Sequence, residues 1–171
     1  MSIKIVEAYT YKDEIKSLFD EYTKTLIDGD SEFKKYLELQ NYDHETENLE
    51  EKYGVPYGRL YIALFKENVA GCIALRKIDE ENCELKRLYV KPEYRGKRIG
   101  RYLVKHTINE AKQIGYRHIL LDTLPFLDTA IDMYKRYGFY EIESYNNNPM
   151  DNLIYLKLDL YNNPPTWLTA M

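Results

Sequence analysis

The stretch CELKRLYVKPEYRGKRIG, residues 83–100, decides how the rest of the chain is read. It opens as a strand, because Leu85, Leu88, Tyr89 and Val90 are branched or aromatic, and the Lys91-Pro92 step ends the pairing. A helix is predicted from about Arg98, where Ile99, Leu103, Ile108 and Ala111 fall near helical spacing. Arg95, Gly96, Lys97, Arg98 and Gly100 lie between the two. A strand feeding a Gly- and Arg-rich turn at a helix N-terminus makes an anion site, since unpaired backbone N–H groups and the positive end of the helix dipole face the ligand together. The same loop taken alone also reads as a basic surface turn. The elements around it separate these readings.

Upstream, Ile3 to Tyr9 alternates as a first strand, and Ile15, Leu18, Phe19, Tyr22 and Leu26 form a helical stripe. Asp28-Gly29-Asp30 breaks it, and a second helix is expected from about Glu32 to Leu39, resuming toward Lys52. Leu60–Lys66 and Val69–Ile78 read as a hairpin around Glu67-Asn68, so the key strand is the third of an antiparallel meander. Downstream, Gly115 ends the helix and HILLDT, residues 118–123, reads as a buried strand. Strand, helix and strand at this spacing form a βαβ unit with parallel pairing. A helix over about 127–137 and strands over 139–145 and 153–160 complete the chain, and the tail from 161 to 171, with Trp167, has no regular pattern. The expected architecture is mixed α+β: a mostly antiparallel sheet of about seven strands, helices on both faces, and one parallel βαβ core.

Composition narrows the function. The 171 residues fit one domain, with 44% hydrophobic and 30% charged side chains. No apolar run approaches the roughly 20 residues of a membrane span. MSIKIVEAYT lacks a signal-peptide layout, so a cytoplasmic protein without membrane attachment is expected. Cys72 and Cys83 make no disulfide framework, and no Cys/His cluster suggests a metal. Residues 86–105 hold eight basic side chains and one acid; the rest keeps 16 basic against 27 acidic, a net −11. One positive site in a negative body suits a small polyanion better than nucleic acid, which needs a broad basic face.

Arg95-Gly96-Lys97-Arg98-Ile99-Gly100, with Leu88-Tyr89-Val90 before it and AIDMYKRYGF (130–139) after it, resembles the GNAT superfamily of acetyl-CoA-dependent N-acetyltransferases. Arg98 stands where the family pattern has its middle glycine, and Leu127 where many members have an Asn. The resemblance implies a single GNAT-like domain over 1–171, an acetyl-CoA core at about 83–139, and acetyl transfer to a primary amine by direct attack in a ternary complex, without a metal. It implies cofactor binding by Leu88, Tyr89, Val90, Arg95, Gly96, Lys97, Arg98, Ile99, Gly100 and Arg101. A bulge in the key strand would aim the N–H of Leu88 or Tyr89 at the thioester carbonyl. Glu84 would be the general base and Tyr134 the acid for the departing thiolate; the alternatives are a strand carboxylate paired with Lys86 or Arg76, and a packed core tyrosine. Family members assemble the acceptor cleft from segments that are residues 28–58 and 145–151 here. A cationic acceptor is therefore expected to meet Asp43, Tyr53, Tyr57, Tyr145 and Asn148, with Glu45, Glu47, Asn147 and Asp151 nearby, unless these acids form only a solvated helix face. A monomer or homodimer is expected. The competing function is a non-catalytic acetyl-CoA-binding module.

Overall fold

A computed structural model of the chain describes residues 2–39, 42–146, 148 and 150–161. The elements are β1 (Ile3–Glu7), α1 (Lys12–Gly29), α2 (Phe33–Leu39), α3 (Tyr42–Glu47), α4 (Leu49–Tyr53), β2 (Arg59–Phe65), β3 (Asn68–Lys77) and β4 (Asn82–Val90). A 3-10 turn (Pro92–Tyr94) follows, then α5 (Ile99–Ile114), β5 (His118–Thr123), α6 (Asp128–Arg136), β6 (Tyr140–Ile142) and β7 (Ile154–Asp159). Seven strands form one sheet in the order β1-β2-β3-β4-β5-β7-β6. Only β4 and β5 run parallel; the other neighbours are antiparallel.

Period-two alternation sorts the strands' apolar residues onto two faces. Tyr61, Ala63, Ile73, Leu75, Cys83 and Leu85 pack with Ile99, Leu103, Ile108 and Ala111 of α5 in one core. Leu60, Ile62, Cys72 and Ala74 pack with Ile15, Leu18 and Phe19 of α1 and with Leu49 and Tyr53 of α4 in the other. A third cluster joins Leu26, Phe33 and Leu37 to Leu124 and Met150, closing α1 and α2 over the end of β5. The end of α5 follows from its glycine: Gly115 sits at φ 110, and Tyr116 N–H reaches back to Ala111 O at 3.1 Å.

Two sequence expectations change. The helix expected over about 32–39 is α2, but its continuation toward Lys52 is two further short helices, α3 and α4. The strand expected over 139–145 stops at Ile142, which frees Tyr145 to leave the sheet. The tail with Trp167, and Asn147 of the acceptor segment, lie outside the described residues. No helix among the described residues is long and apolar enough to cross a membrane.

Candidate active site

The parallel pairing of β4 with β5 covers only Asn82–Glu84 against His118–Leu120. Beyond it the strands part, and both lines of residues, Leu85–Val90 and Leu121–Leu124, face a cleft of about 1170 Å³. The cleft continues past Arg95, Gly96 and the start of α5 on one side and along α6 on the other.

At the α5 end, the first helical hydrogen bond runs from Tyr102 N–H to Arg98 O. The amides of Ile99, Gly100 and Arg101 precede it and are not used by the helix, and Arg98 provides no side-chain cap. Arg98 and Gly96 both have positive φ, 66 and 81, so the backbone turns through the left-handed region twice before the helix starts. A non-glycine residue fits such a turn without strain only where no positive φ is needed. The position does need one, and Arg98 adopts it against the steric preference of an L side chain. A Cβ on Gly100 would meet nothing nearer than Val90 Cγ2, at 3.8 Å, so the protein leaves that side of the helix start open. Arg95 donates from Nε to Val90 O at 3.1 Å and lies 5.9 Å from the Tyr89 ring centre. Lys97 does not line the cleft; its Nζ sits 5.2 Å from the centre of the Phe65 ring. Lys105 and Arg136, not assigned to the site by the sequence, add two further cations along the cleft wall.

In its middle, β4 is bulged. Cys72 pairs with Tyr89 and Ala74 with Lys86, so Ile73 faces both Arg87 and Leu88. Arg87 takes φ 62. Gly71, whose Cβ would fall 2.5 Å from Tyr89 O, lets β3 close up beneath the bulge. The strained residue is tied down: Arg87 Nε and NH2 donate to Glu45 Oε2 and Oε1 at 2.8 and 3.0 Å, and Lys52 Nζ donates to Glu45 Oε1 at 2.7 Å. Burial works against the Glu45 charge, but Arg87 and Lys52 outweigh it and hold the carboxyl down at about 2.

Period two places Glu84 and Lys86 on the face of β4 opposite Cys83 and Leu85. Glu84 is 3% exposed and does not line the cleft. Its carboxylate accepts from Arg76 Nε at 2.6 Å and from the Tyr145 hydroxyl at 2.5 Å. Burial pushes its pKa up, yet Lys86, Arg76 and the Tyr145 hydrogen bond prevail and hold it below the usual carboxylate range. Lys86 does line the cleft, as does Asp122 across from it on β5. Asp122 accepts from Asn146 Nδ2 at 3.1 Å. Tyr134, 5% exposed, lines the α6 wall against Phe139, and burial raises its phenol far above the ordinary value. Leu127, at the place where the resembled family often has an Asn, is an apolar part of the same wall.

The structure does not gather the five residues expected to receive the acceptor. Tyr145 reaches Glu84. Asn148 shapes its own loop, its Oδ1 accepting Met150 N–H at 2.8 Å. Tyr53 is fully buried against Phe19, Asp43 faces solvent on α3, and Tyr57 is half exposed with Lys77 Nζ 4.3 Å from its ring centre. Glu45 is neither a solvated acid nor part of an entrance, because Arg87 claims it; Glu47 and Asp151 are exposed. The sequence carried one signal for what was missed: Lys86 stands two residues after Glu84, on the same face of the strand that forms the cleft. Among the described residues, no group of three or more His, Cys, Asp or Glu is placed to hold a metal ion.

The chain belongs to the GNAT acetyltransferases: a profile of the acetyltransferase (GNAT) family matches residues 15–139. It is 38% identical to an uncharacterised N-acetyltransferase of Schizosaccharomyces pombe, across 94% of this chain and 95% of that one. An acetyltransferase from Streptococcus agalactiae superposes with a TM-score of 0.74 at 23% identity, over 94% of this chain and 99% of the other. A GNAT family acetyltransferase from Elizabethkingia anophelis, solved with acetyl-CoA bound, matches with a TM-score of 0.52 at 26% identity, over 60% of this chain and 76% of the other.

Proposed function

We propose that the protein transfers the acetyl group of acetyl-CoA to a primary amine by direct attack in a ternary complex. The observation that carries this reading is the continuous cleft from the open amides of α5, past the bulge in β4, to Tyr134. In it the pyrophosphate meets the N–H groups of Ile99, Gly100 and Arg101 and the side chains of Arg95 and Arg98, each charge-assisted bond contributing roughly 1.5–3 kcal/mol. The pantetheine amides extend along Leu88–Val90 as an added strand. The thioester carbonyl then lies at the bulge, where the N–H of Leu88 or Tyr89 stabilises the negative charge that develops on oxygen.

The amine attacks the thioester carbon, the C–N bond forms, the C–S bond breaks, and Tyr134 supplies a proton to the departing sulfur. Burial keeps that phenol protonated, so a proton is in place when the sulfur leaves. A covalent relay through cysteine is disfavoured. Burial pushes the thiols of Cys72 and Cys83 well above neutral pH, and neither lines the cleft. Glu84, held charged by Arg76 and Tyr145, anchors the polar floor in this reading. Asp122 on the cleft wall favours an acceptor that arrives as an ammonium.

Release of CoA thiol in the presence of acetyl-CoA and a panel of primary amines, run beside calorimetric titration with acetyl-CoA, tests the proposal. Binding with amine-dependent thiol release supports it. Binding without release by any amine leaves the non-catalytic module, and no binding at all removes the cleft as the cofactor site.

A further inference from the structure

Direct attack needs an amine without its extra proton, and Glu84 is poorly placed to take it. It is buried away from the cleft and already bound by Arg76 and Tyr145. Lys86 is the opposite case. Its side chain is 9% exposed, yet it lines the cleft just before the bulge. Its nitrogen makes no hydrogen bond to any described residue, and the one carboxylate oxygen within 4 Å of it is Glu84 Oε1, at 3.9 Å. A buried amino group with no hydrogen-bond partner among the described residues, facing the space where two strands part, is costly to keep charged.

Taking the proposed acetyl transfer as given, we propose that Lys86 is the group that deprotonates the acceptor: its neutral amine, facing the cleft beside the bulge and across from Asp122, takes the proton from the incoming ammonium. The charges around it fit. From β4 it meets Glu84 and Arg87, from α4 Lys52, and from β5 Asp122. Arg76 and Tyr145 act on it through Glu84, whose charge they hold in place. Burial and Arg87 favour the neutral amine, Lys52 adds to them, and Glu84 and Asp122 oppose them; the outcome is a lysine brought down to about 7. Asp122 attracts the ammonium, and Lys86 receives its proton. The free amine attacks the thioester carbon as the C–S bond breaks. The second proton lost by the nitrogen restores the Tyr134 phenol, replacing the proton that Tyr134 delivered to sulfur, and Lys86 returns its own proton to solvent. The transfer needs no further reactant.

Two experiments test the assignment. The first needs no acceptor: the protein is labelled with trace isotopic acetic anhydride at pH 5–11, and each lysine's reactivity is read by mass spectrometry. Lys86 is expected to titrate near 7 and to be protected by acetyl-CoA; a midpoint above 10 overturns the assignment. The second compares wild type, Lys86→Met and Lys86→Arg with acetyl-CoA and 1,4-diaminobutane, lysine methyl ester or tyramine. Both variants should keep acetyl-CoA affinity within about twofold while kcat/KM at pH 7 falls by roughly 100-fold or more, and the acidic limb of the wild-type profile should disappear. Arginine keeps the charge but cannot accept a proton, so activity retained in Lys86→Arg overturns the assignment. Wild type that binds acetyl-CoA but acetylates none of the amines refutes the proposed reaction itself, whereas turnover that survives in Lys86→Met refutes only the role of Lys86.

Discussion

A base held neutral in a buried place burdens the fold, and that burden predicts an unusual mutant. Lys86 titrates at about 7 in the folded chain and at 10.5 when unconstrained. Between those values the unfolded chain binds the proton and the folded chain does not. Stability therefore rises with pH across the window, and at pH 7 the wild type carries nearly the whole penalty. At ~1.36 kcal/mol per pH unit this amounts to about 4 kcal/mol as an upper value. Lys86→Met keeps the length of the side chain and removes the charge. Glu84 still has Arg76 at 2.6 Å and Tyr145 at 2.5 Å. If half of the penalty is recovered, about 2 kcal/mol, the melting temperature at pH 7 should rise by roughly 4–8 °C. The gap to wild type should shrink as pH rises toward 10, where most of the linked penalty is gone, and closes only above 10.5, where Lys86 is neutral in both states. Thermal unfolding of the two proteins at pH 7 and pH 10 reads this directly. A methionine variant that is no more stable at pH 7, or a gap that does not change with pH, refutes the reasoning.

The other predictions concern the clamp and the cradle. Glu45→Gln leaves Arg87 buried opposite a neutral amide and should cost about 3–5 kcal/mol at pH 7. Because the folded-state value of Glu45 is depressed to about 2 from 4.5, its contribution is present above 4.5 and is lost as pH falls toward 2, so wild-type and variant melting temperatures should converge over that interval. Gly100→Asp should fold normally, since its Cβ has room, but should raise the Kd for acetyl-CoA about tenfold or more by calorimetry. Arg98→Gly relieves a positive φ at the loss of one cation and some unfolded-state stiffness; stability within about 1 kcal/mol and affinity within a few-fold are expected, and a large loss of affinity would give the Arg98 side chain the main part in the cradle.

What could be read in the sequence was local. The run from Cys83 to Gly100 announces a strand, a turn and a helix start within eighteen residues, and hydrophobic period alone gives the meander and the βαβ unit. The strand face could also be read, since Glu84 and Lys86 differ by two. Which of them meets the cleft depends on contacts far away in sequence. Arg76 comes from the neighbouring strand, and Tyr145 comes from a loop that exists because β6 ends at Ile142. Together they bind Glu84 and leave Lys86 with only a 3.9 Å approach to it and no hydrogen bond among the described residues, and no period or composition within 83–100 contains that outcome. Within the acidic run over 28–51, the place of Glu45 was hidden for the same reason. Six charged or polar residues of α3 read as one exposed face, yet Glu45 turns inward to an arginine 42 positions away.

That long-range pair explains why the bulge can exist. A non-glycine residue at φ 62 in a central strand costs on the order of 1–3 kcal/mol unless its surroundings impose the conformation. Arg87 has two charge-assisted bonds to Glu45 and lies 5.9 and 5.6 Å from the ring centres of Phe19 and Tyr42. These contacts come from α1 and α3, the helices on the face of the sheet toward which Glu84 and Lys86 point. The same helices that cover that face thus hold the backbone turn in β4 that sets Leu88 and Tyr89 at the cleft. Loosening α3 by breaking the Glu45 pair should therefore disturb the geometry of the bulge as well as stability, and the two effects separate by assay. Calorimetry of acetyl-CoA with the Glu45→Gln variant, well below its melting temperature, should show weakened binding even though Glu45 does not line the cleft. Affinity equal to wild type in a folded Glu45→Gln protein would mean that β4 keeps its bulge unaided.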